Sequence, residues 1–357
     1  MQDLAQGLAT KSENIFAWER GEKSLTVCQA QKLASVTRIP FGFLFLQTPP
    51  EESLPLPDLR TIGSEPLPRP SVNLLDTVRD TLQKQAWYID YLKDQHAADL
   101  AFVSKFNTSA PVTTVANDIK ASLGLTNYSR SKSNDEYFRT LVKSAEDIGI
   151  LVMRSGYVGG NTRRTLDVSE FRGFAISDRQ APVIFINSTD APAARLFTLL
   201  HELAHIWIGT SGISNASHQS TQKEEVFCNA VAGEFLVPTQ EFVAAWNSDI
   251  NWMDNLPVLS LNFHVSKLVI ARKASDLGLI EKQEYTNYHR DELAKFRSAK
   301  KGGSGDYYAN ANAKNSSKFT QAVIHQALSG DLLLRDAGRL LGVNPSKIRT
   351  FAESLST

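Results

Sequence analysis

Apolar residues recur at helical spacing over most of the chain, and strand-like patterns are confined to one region. Apolar positions over 71–107 return about every 3.6 residues, which predicts a long helix. Residues 148–154, 171–177 and 181–188 are short apolar runs that predict strands, and a turn of hairpin length joins the last two. Helical patterns follow on the C-terminal side. The pattern predicts an α+β fold, in which a small antiparallel sheet packs on helices and helical segments lie at both ends.

The composition and the lack of long apolar runs argue against several classes of protein. Lys and Arg number 38 and Asp and Glu also number 38, so the net charge is zero and argues against a polybasic nucleic-acid coat. The cysteines Cys28 and Cys228 form no CxxC pair, which argues against a disulfide scaffold and fits a reducing compartment. The N-terminus lacks an apolar signal region, and no run of about 18 apolar residues occurs. We therefore expect a cytoplasmic protein without a membrane partner.

The strongest chemical signal is the sequence His-Glu-Leu-Ala-His at 201–205, inside a helical pattern that ends near Ile208. At positions i and i+4 of a helix, the imidazoles of His201 and His205 lie one above the other and can share one tetrahedral zinc ion. Glu202 projects beside them and can accept a proton from an attacking water. The alternative is an ordinary helix with two histidines and a chance glutamate.

A catalytic zinc also needs a third protein ligand. The next predicted helix, 222–238, offers three candidates: Glu224, Glu225 and Glu234. We favour Glu225, because an inward Glu225 shares a small and apolar face with Asn229, whose side chain can orient a ligand. Solvated acids at a helix start are the alternative interpretation of this acidic pair. His218, in a polar loop, is a rival third ligand.

These segments resemble the ImmA/IrrE family of metallo-endopeptidases. The resemblance rests on ARLFTLLHELAHIWIG at 194–209 and EEVFCNAVAGEFLVP at 224–238. It implies zinc ligands at the two histidines and the later glutamate, which here are His201, His205 and Glu225. It also implies that Glu202 is the general base. The expected core is therefore a zincin-like HExxH helix pair on the small antiparallel sheet.

Two features nearby refine this expectation. Cys228 and Val231 stand where the family usually has alanine and phenylalanine, both on the second helix. The strand pair at 172–188 also looks like the strands that precede the zinc helix in the family. We expect an exposed edge of this hairpin to hold a substrate peptide as an added strand. The alternative is a plain sheet edge.

The chain as a whole resembles the long form of the family, which carries an Xre/Cro-type helix-turn-helix ahead of the peptidase. Trp18-Glu19-Arg20-Gly21 and PLPDLRT at 55–61 are among the matching residues. The helix that normally comes first has no counterpart, so the module is expected to be truncated at its start. In such modules the helix before WERG enters the major groove. Its candidate DNA contacts are Lys11, Ser12 and Asn14. A helical cap that packs on the peptidase or mediates dimerisation is the alternative.

The C-terminal end offers a second candidate for DNA recognition. Residues 332–355 have the pattern helix, Gly-Val-Asn-Pro turn, helix, and resemble the terminal module of the long family form. Basic residues exceed acidic ones in this end of the chain, and Lys347 and Arg349 are expected to face outwards. The alternative is a helical interaction subdomain whose excess charge is a solvated face.

These patterns and the resemblance predict six segments. They are an Xre-like module at 1–46, a proline-rich linker at 47–70, a helical region at 71–147, a zinc-peptidase core at 148–256, a helical extension at 257–300 and a C-terminal helix-turn-helix-like module at 306–357. The predicted function is a zinc-dependent endopeptidase that cleaves a repressor or neighbouring regulator and is coupled to transcriptional control through double-stranded DNA. The alternative is a DNA-binding or antitoxin-like regulator whose zinc site is structural or vestigial. The oligomeric state stays open.

Overall fold

A computed structural model describes residues 2–37, 39, 41–48, 55–57, 61–62, 65–66, 70–125, 134–214, 222–263, 265–297 and 313–355. The chain forms two compact units, Met1–Leu54 and Pro55–Thr357. None of the helices in the described ranges combines the length and apolar character needed to cross a membrane. The predicted linker at 47–70 falls largely outside the described residues, and the division into six segments stays a prediction.

The first unit consists of short helices around a small core. These are α1 (Gln2–Leu8), α2 (Ser12–Glu19) and α3 (Val27–Thr37), followed by a 3-10 helix at Phe41–Phe45. The buried side chains of the core are Ala5, Leu8 and Ile15, with Trp18 packed against them. The short helices predicted for this end of the chain are therefore present.

The second unit contains both strands and helices. Its strands are β1 (Thr61–Ile62), β2 (Glu65–Pro66), β3 (Leu151–Ser155), β4 (Gly173–Ile176), β5 (Val183–Asn187) and β6 (Gly212–Ser214). Its helices are α4 (Val72–Asp94), α5 (Val112–Ser122), α6 (Asn134–Asp147), α7 (Pro192–Ile208), α8 (Lys223–Leu236), α9 (Thr239–Ala245), α10 (Trp252–Phe263), α11 (Lys267–Asp276), α12 (Lys282–Arg297), α13 (Ser317–Ser329), α14 (Leu334–Leu341) and α15 (Ile348–Leu355). The class of this unit is α+β, as the sequence predicts.

The main sheet is mixed, with the strand order β3-β5-β4-β6. Strands β4 and β5 form the predicted antiparallel hairpin. Strand β3 pairs in parallel with β5, so the prediction of an antiparallel sheet is wrong. The connection over 177–182 is too short for a parallel crossover and so favours antiparallel pairing of β4 and β5, whereas the long connection over 156–172 leaves the direction of β3 free. Strand β3 could therefore join the far side of β5 in the parallel direction.

Helices cover both faces of this sheet. One face packs into a large core with α5, α6, α7 and α8, and it contributes Val152, Ala175 and Ile184. On the other face, α13 contacts both β3 and α4, and residues of α4 line a small cavity with Met153 of β3 and Phe185 of β5. There the ring of Phe319 on α13 meets Trp87 of α4 edge-on, with 5.5 Å between the centroids. Helix α13 is thus part of the support of the sheet.

Glu234 links the end of α8 to α11. Lys273 donates a hydrogen bond to Glu234 Oε2 over 2.7 Å, and the Thr239 amide donates to Oε1 over 3.0 Å. Burial opposes ionisation of Glu234, but the hydrogen bonds from Lys273 and Thr239 outweigh it and lower the pKa of this carboxyl. The ionised form is therefore tied to the native state.

We predict that Glu234→Gln destabilises the fold by about 1–3 kcal/mol near neutral pH. Because the pKa of Glu234 is lower in the folded state, its stabilisation is present above the unfolded pKa and is lost as pH falls through the folded value. The difference between wild type and variant should shrink on acidification. Denaturant unfolding of both proteins over a pH series measures it, and a difference that grows in acid would contradict the assignment.

Candidate metal centre

Helix α7 carries the His-Glu-Leu-Ala-His sequence and is fixed at both ends. Pro192 occupies the first turn, where its missing N–H costs no hydrogen bond. At the other end Gly209 adopts a left-handed conformation with φ of 72°. The amides of Ser104 and Phe106 donate to the carbonyls of Ile206 and Trp207 over 3.1 and 3.0 Å. A neighbouring loop therefore caps the last turn, which contains His205.

Three ligand atoms converge between α7 and α8. His205 Nε2 lies 3.1 Å from His201 Nε2 and 3.0 Å from Glu225 Oε1, and His201 Nε2 lies 3.4 Å from Glu225 Oε2. All three side chains are buried. Ligand atoms bound tetrahedrally to zinc at about 2.0–2.1 Å lie about 3.3 Å apart. The observed separations match this spacing, so these residues fit a metal ion.

Polar residues lie next to both imidazoles, and one of them orients His205. His205 Nδ1 lies 2.7 Å from the Thr210 hydroxyl. In the tautomer that a metal ligand requires, Nδ1–H donates to Thr210 Oγ1 and leaves the lone pair on Nε2. Asn229, one turn after Glu225 on α8, lies close enough to the His201 imidazole to favour its protonated form. Asn229 is therefore near His201, and its role in orienting a ligand stays a prediction. Nothing in the sequence pointed to Thr210.

Charge in the centre is unevenly distributed. Burial alone would raise the pKa of Glu225, but the charge and hydrogen bonds of His201 and His205 lower it to about 2. Burial would lower the pKa of His201, and the Glu225 carboxylate beside it reverses the shift and raises it. Burial dominates at His205 and lowers the pKa of that imidazole. An ionised carboxylate and a neutral imidazole are the forms that bind a cation.

Glu202 lies beside the cluster and is held by one oxygen. The Ser214 hydroxyl on β6 donates a hydrogen bond to Glu202 Oε1 over 2.6 Å. Glu202 Oε2 has no hydrogen-bond partner among the described residues. Burial raises the pKa of Glu202 to about 8, against the opposing effects of the His201 charge and the Ser214 hydrogen bond. The side chain is therefore oriented, and its free oxygen has a high affinity for a proton.

Gly173 on β4 makes room for this carboxylate. A Cβ at position 173 would lie 2.7 Å from Thr198 Cγ2, 2.9 Å from the Phe185 carbonyl oxygen and 3.0 Å from Glu202 Oε1. The backbone at Phe185 cannot move aside easily, because β5 is an inner strand that pairs on both sides with other strands. Only glycine therefore fits between the sheet and α7 at this point.

We predict that Gly173→Ala destabilises the protein by about 1–3 kcal/mol through overpacking. The control is Gly233→Ala on α8, because a Cβ there meets nothing within 4 Å and alanine is the better helix former. Thermal unfolding of the two variants measures the contrast. An equal effect of both substitutions would show that Gly173 does not provide needed space.

The other predicted third ligands do not join the cluster. Glu224 is half-buried on the neighbouring position of α8, and Glu234 binds Lys273. His218 lies outside the described residues. Among the residues that the structure describes, His201, His205 and Glu225 form the group that could hold a metal ion.

The predicted peptide-binding edge is not where the sequence led us to expect it. The hairpin has no free edge, because β5 pairs with β3 and β4 pairs with β6. The outer strand next to Glu202 is β6, which pairs Ser214 with Gly173. A strand of three residues after a helix is too short to give a recognisable period, so the sequence did not reveal it.

The candidate DNA contacts belong to the two separate units. Lys11 is exposed at the start of α2 and Ser12 is half-buried. Asn14 donates to Thr10 over 3.0 Å and accepts a hydrogen bond from a lysine. In the second unit, the side chains of Lys347 and Arg349 are exposed. A role of these residues in DNA binding stays a prediction.

A buried His-His-Glu cluster with a carboxylate beside it has the ligand set that metallohydrolases use to hold a catalytic zinc ion. Residues 145–275 match the family model described as the IrrE N-terminal-like domain of peptidase family M78, and residues 315–354 match a domain of unknown function (DUF8813). No curated protein matches the chain. The first match contains the whole cluster and Glu202. It supports the resemblance to the ImmA/IrrE family and indicates a metallopeptidase-like function that requires a metal.

Proposed function

We propose that this chain is a zinc-dependent endopeptidase that cleaves a regulatory protein, either a repressor or a neighbouring regulator. The observation that carries the proposal is the convergence of two imidazole nitrogens and one carboxylate at 3.0–3.4 Å, beside the held carboxylate of Glu202. Two histidines and a glutamate are a ligand set of catalytic zinc, which keeps a fourth position open. A structural zinc usually has four protein ligands, and three are present among the described residues.

The residues of the metal centre would have separate roles in hydrolysis of the peptide bond. His201, His205 and Glu225 would hold the zinc ion, which when bound polarises the scissile carbonyl and increases the acidity of water. Glu202 would accept a proton from the attacking water at its free oxygen, Oε2, and deliver it to the nitrogen of the leaving amine. Ser214 would keep Oε1 in place during both transfers.

The test compares protein N-termini in cells that express the wild type or Glu202→Gln. The variant keeps the three metal-ligating side chains, so a difference reports chemistry and not loss of zinc. One or a few new N-termini that occur only with the wild type would identify the substrate and support a selective peptidase. Identical N-termini under several stress conditions would contradict the proposal and favour the regulator with a structural zinc.

We further propose that peptidase action is coupled to double-stranded DNA. Exposed basic side chains at Lys11, Lys347 and Arg349 support this proposal. Each lysine or arginine that contacts a phosphate should contribute about 1 to the magnitude of the slope of the logarithm of the DNA-binding constant against the logarithm of the salt concentration. We expect Lys347→Glu and Arg349→Glu to lower DNA affinity more than Lys11→Glu. Titrations of labelled duplex DNA at several salt concentrations test this, and unchanged affinity in all three variants would reject the coupling.

A further inference from the structure

The outer edge of β6 is covered by a segment of the proline-rich region. Strand β6 lies at the end of the sheet and pairs on its inner side with β4. On its outer side, the Ile213 amide donates a hydrogen bond to the carbonyl oxygen of Pro57 over 3.0 Å. Leu56 is only 8% exposed, whereas the prolines on both sides of it are exposed. We call residues 55–57 the strap, and Leu56 is its anchor.

The strap lies next to the proposed chemistry. Ile213, which bonds the strap, directly precedes Ser214, which holds Glu202. Successive residues of a strand are about 3.3 Å apart along its axis. A peptide chain on the outer edge of β6 therefore passes within about one residue of the side chain that positions the proposed general base.

The contacts that hold the strap on β6 are ones that a bound peptide could also make. Proline has no N–H, so Pro55 and Pro57 cannot donate to a strand ladder. The described residues of the strap make one backbone hydrogen bond to β6, and one side chain is buried. An extended peptide without proline offers an N–H and a C=O at every residue and can form a longer ladder on the same edge. The contacts of these described residues are therefore fewer than those that such a peptide could form.

We propose that the strap is an internal competitor, which an extended substrate peptide must displace from the outer edge of β6 before cleavage. The proposal rests on the proposed function, because it assigns β6 as the edge that presents the substrate to Glu202. When the strap is bound, the outer edge of β6 is occupied. Only molecules with a displaced strap can bind a peptide, so the apparent affinity is the intrinsic affinity multiplied by the fraction of such molecules.

The first experiment measures access to the edge without using activity. The probe is a fluorescein-labelled peptide with the sequence EESLPLPDLR of residues 51–60, titrated into the full chain and followed by anisotropy. Leu56→Asp removes the buried anchor and should increase the affinity for the probe by about 10-fold to 100-fold. The control is Val258→Asp on α10, which makes the same type of change at a side chain that is 57% exposed. Equal affinity of wild type and Leu56→Asp would overturn the proposal.

Two further measurements distinguish displacement of the strap from unfolding of the Leu56→Asp variant. Leu56→Ala makes a milder change and should shift affinity in the same direction by a smaller factor. Hydrogen exchange of the Ile213 amide should become faster in both Leu56 variants, and added peptide should slow it again. An Ile213 amide that exchanges equally in the wild type and in a folded Leu56→Ala would also overturn the proposal.

A cleavage assay separates failure of the strap from failure of the proposed function. A tryptic peptide library serves as the substrate for the zinc-loaded wild type, Leu56→Asp and Leu56→Asp combined with Glu202→Gln. Lower KM with little change in kcat for Leu56→Asp, and no cleavage by the double variant, would support competition. Cleavage that depends on Glu202 with equal KM in wild type and Leu56→Asp would overturn it. No cleavage that depends on Glu202 would reject the proposed function, and the binding experiment would still decide about the strap.

Discussion

Glu202→Gln is expected to slow peptide cleavage by about 100-fold to 10,000-fold while the metal content of the protein stays unchanged. Glutamine has nearly the shape of glutamate, and its carbonyl oxygen can still accept the hydrogen bond from Ser214. It cannot take up a proton from water, so the proposed transfer at Oε2 is lost. Initial rates on the substrate found from cellular N-termini, together with metal analysis of the same samples, measure both quantities.

The matched control is Glu224→Gln, which makes the same glutamate-to-glutamine change at the half-buried position before the ligand Glu225. This variant should retain the wild-type rate, because Glu224 does not belong to the cluster. If both variants lost activity equally, the loss would not be specific to proton transfer at Glu202. If Glu202→Gln also lost its metal, Glu202 would have to be regarded as a ligand.

Glu225→Ala is expected to lower zinc affinity by more than about 100-fold, since loss of even an outer partner of a ligand costs about 10-fold to 100-fold. The ligand set falls from three to two, and His201 loses the carboxylate 3.4 Å away that favours its charge. Zinc is expected to raise the melting temperature of the wild type by binding the native state, and this rise should disappear in the variant. Calorimetric titration with zinc and thermal unfolding with and without a chelator measure the two effects.

Asn229→Ala provides a graded comparison for this experiment. Its side chain lies near His201 and does not belong to the ligand cluster, so its effect on zinc affinity should be smaller than that of Glu225→Ala. Full zinc binding by Glu225→Ala would place the third ligand elsewhere, and His218 would then be the residue to test.

The sequence predicted those parts of the centre that depend on spacing along one helix. Two histidines four residues apart share a face of α7 whatever surrounds them, because the helix has a fixed period. Glu225 was a harder choice among three glutamates, and the apolar face of α8 favoured it. In the structure Glu225 is the glutamate that meets the two histidines.

Parts that depend on tertiary contact could not be predicted in this way. Thr210, Ser214 and Gly173 act on the centre from a helix end, an outer strand and an inner strand. A threonine, a serine and a glycine carry no signal of their own in a sequence, because their roles depend on what lies opposite. The direction of β3 was predicted wrongly for the same reason. A long connection allows either direction, so the packing of the whole sheet decides the pairing.

The order of the elements along the chain has a consequence for how the protein folds. The proposed ligands, the proposed base and the groups that hold it all come from the continuous stretch between Gly173 and Glu225. Contacts that are close in sequence form early, because little chain entropy is lost in bringing them together. The centre is therefore expected to assemble before α13, near the end of the chain, docks on the other face of the sheet. During synthesis, metal capture would then precede completion of the chain and become a step of the folding pathway.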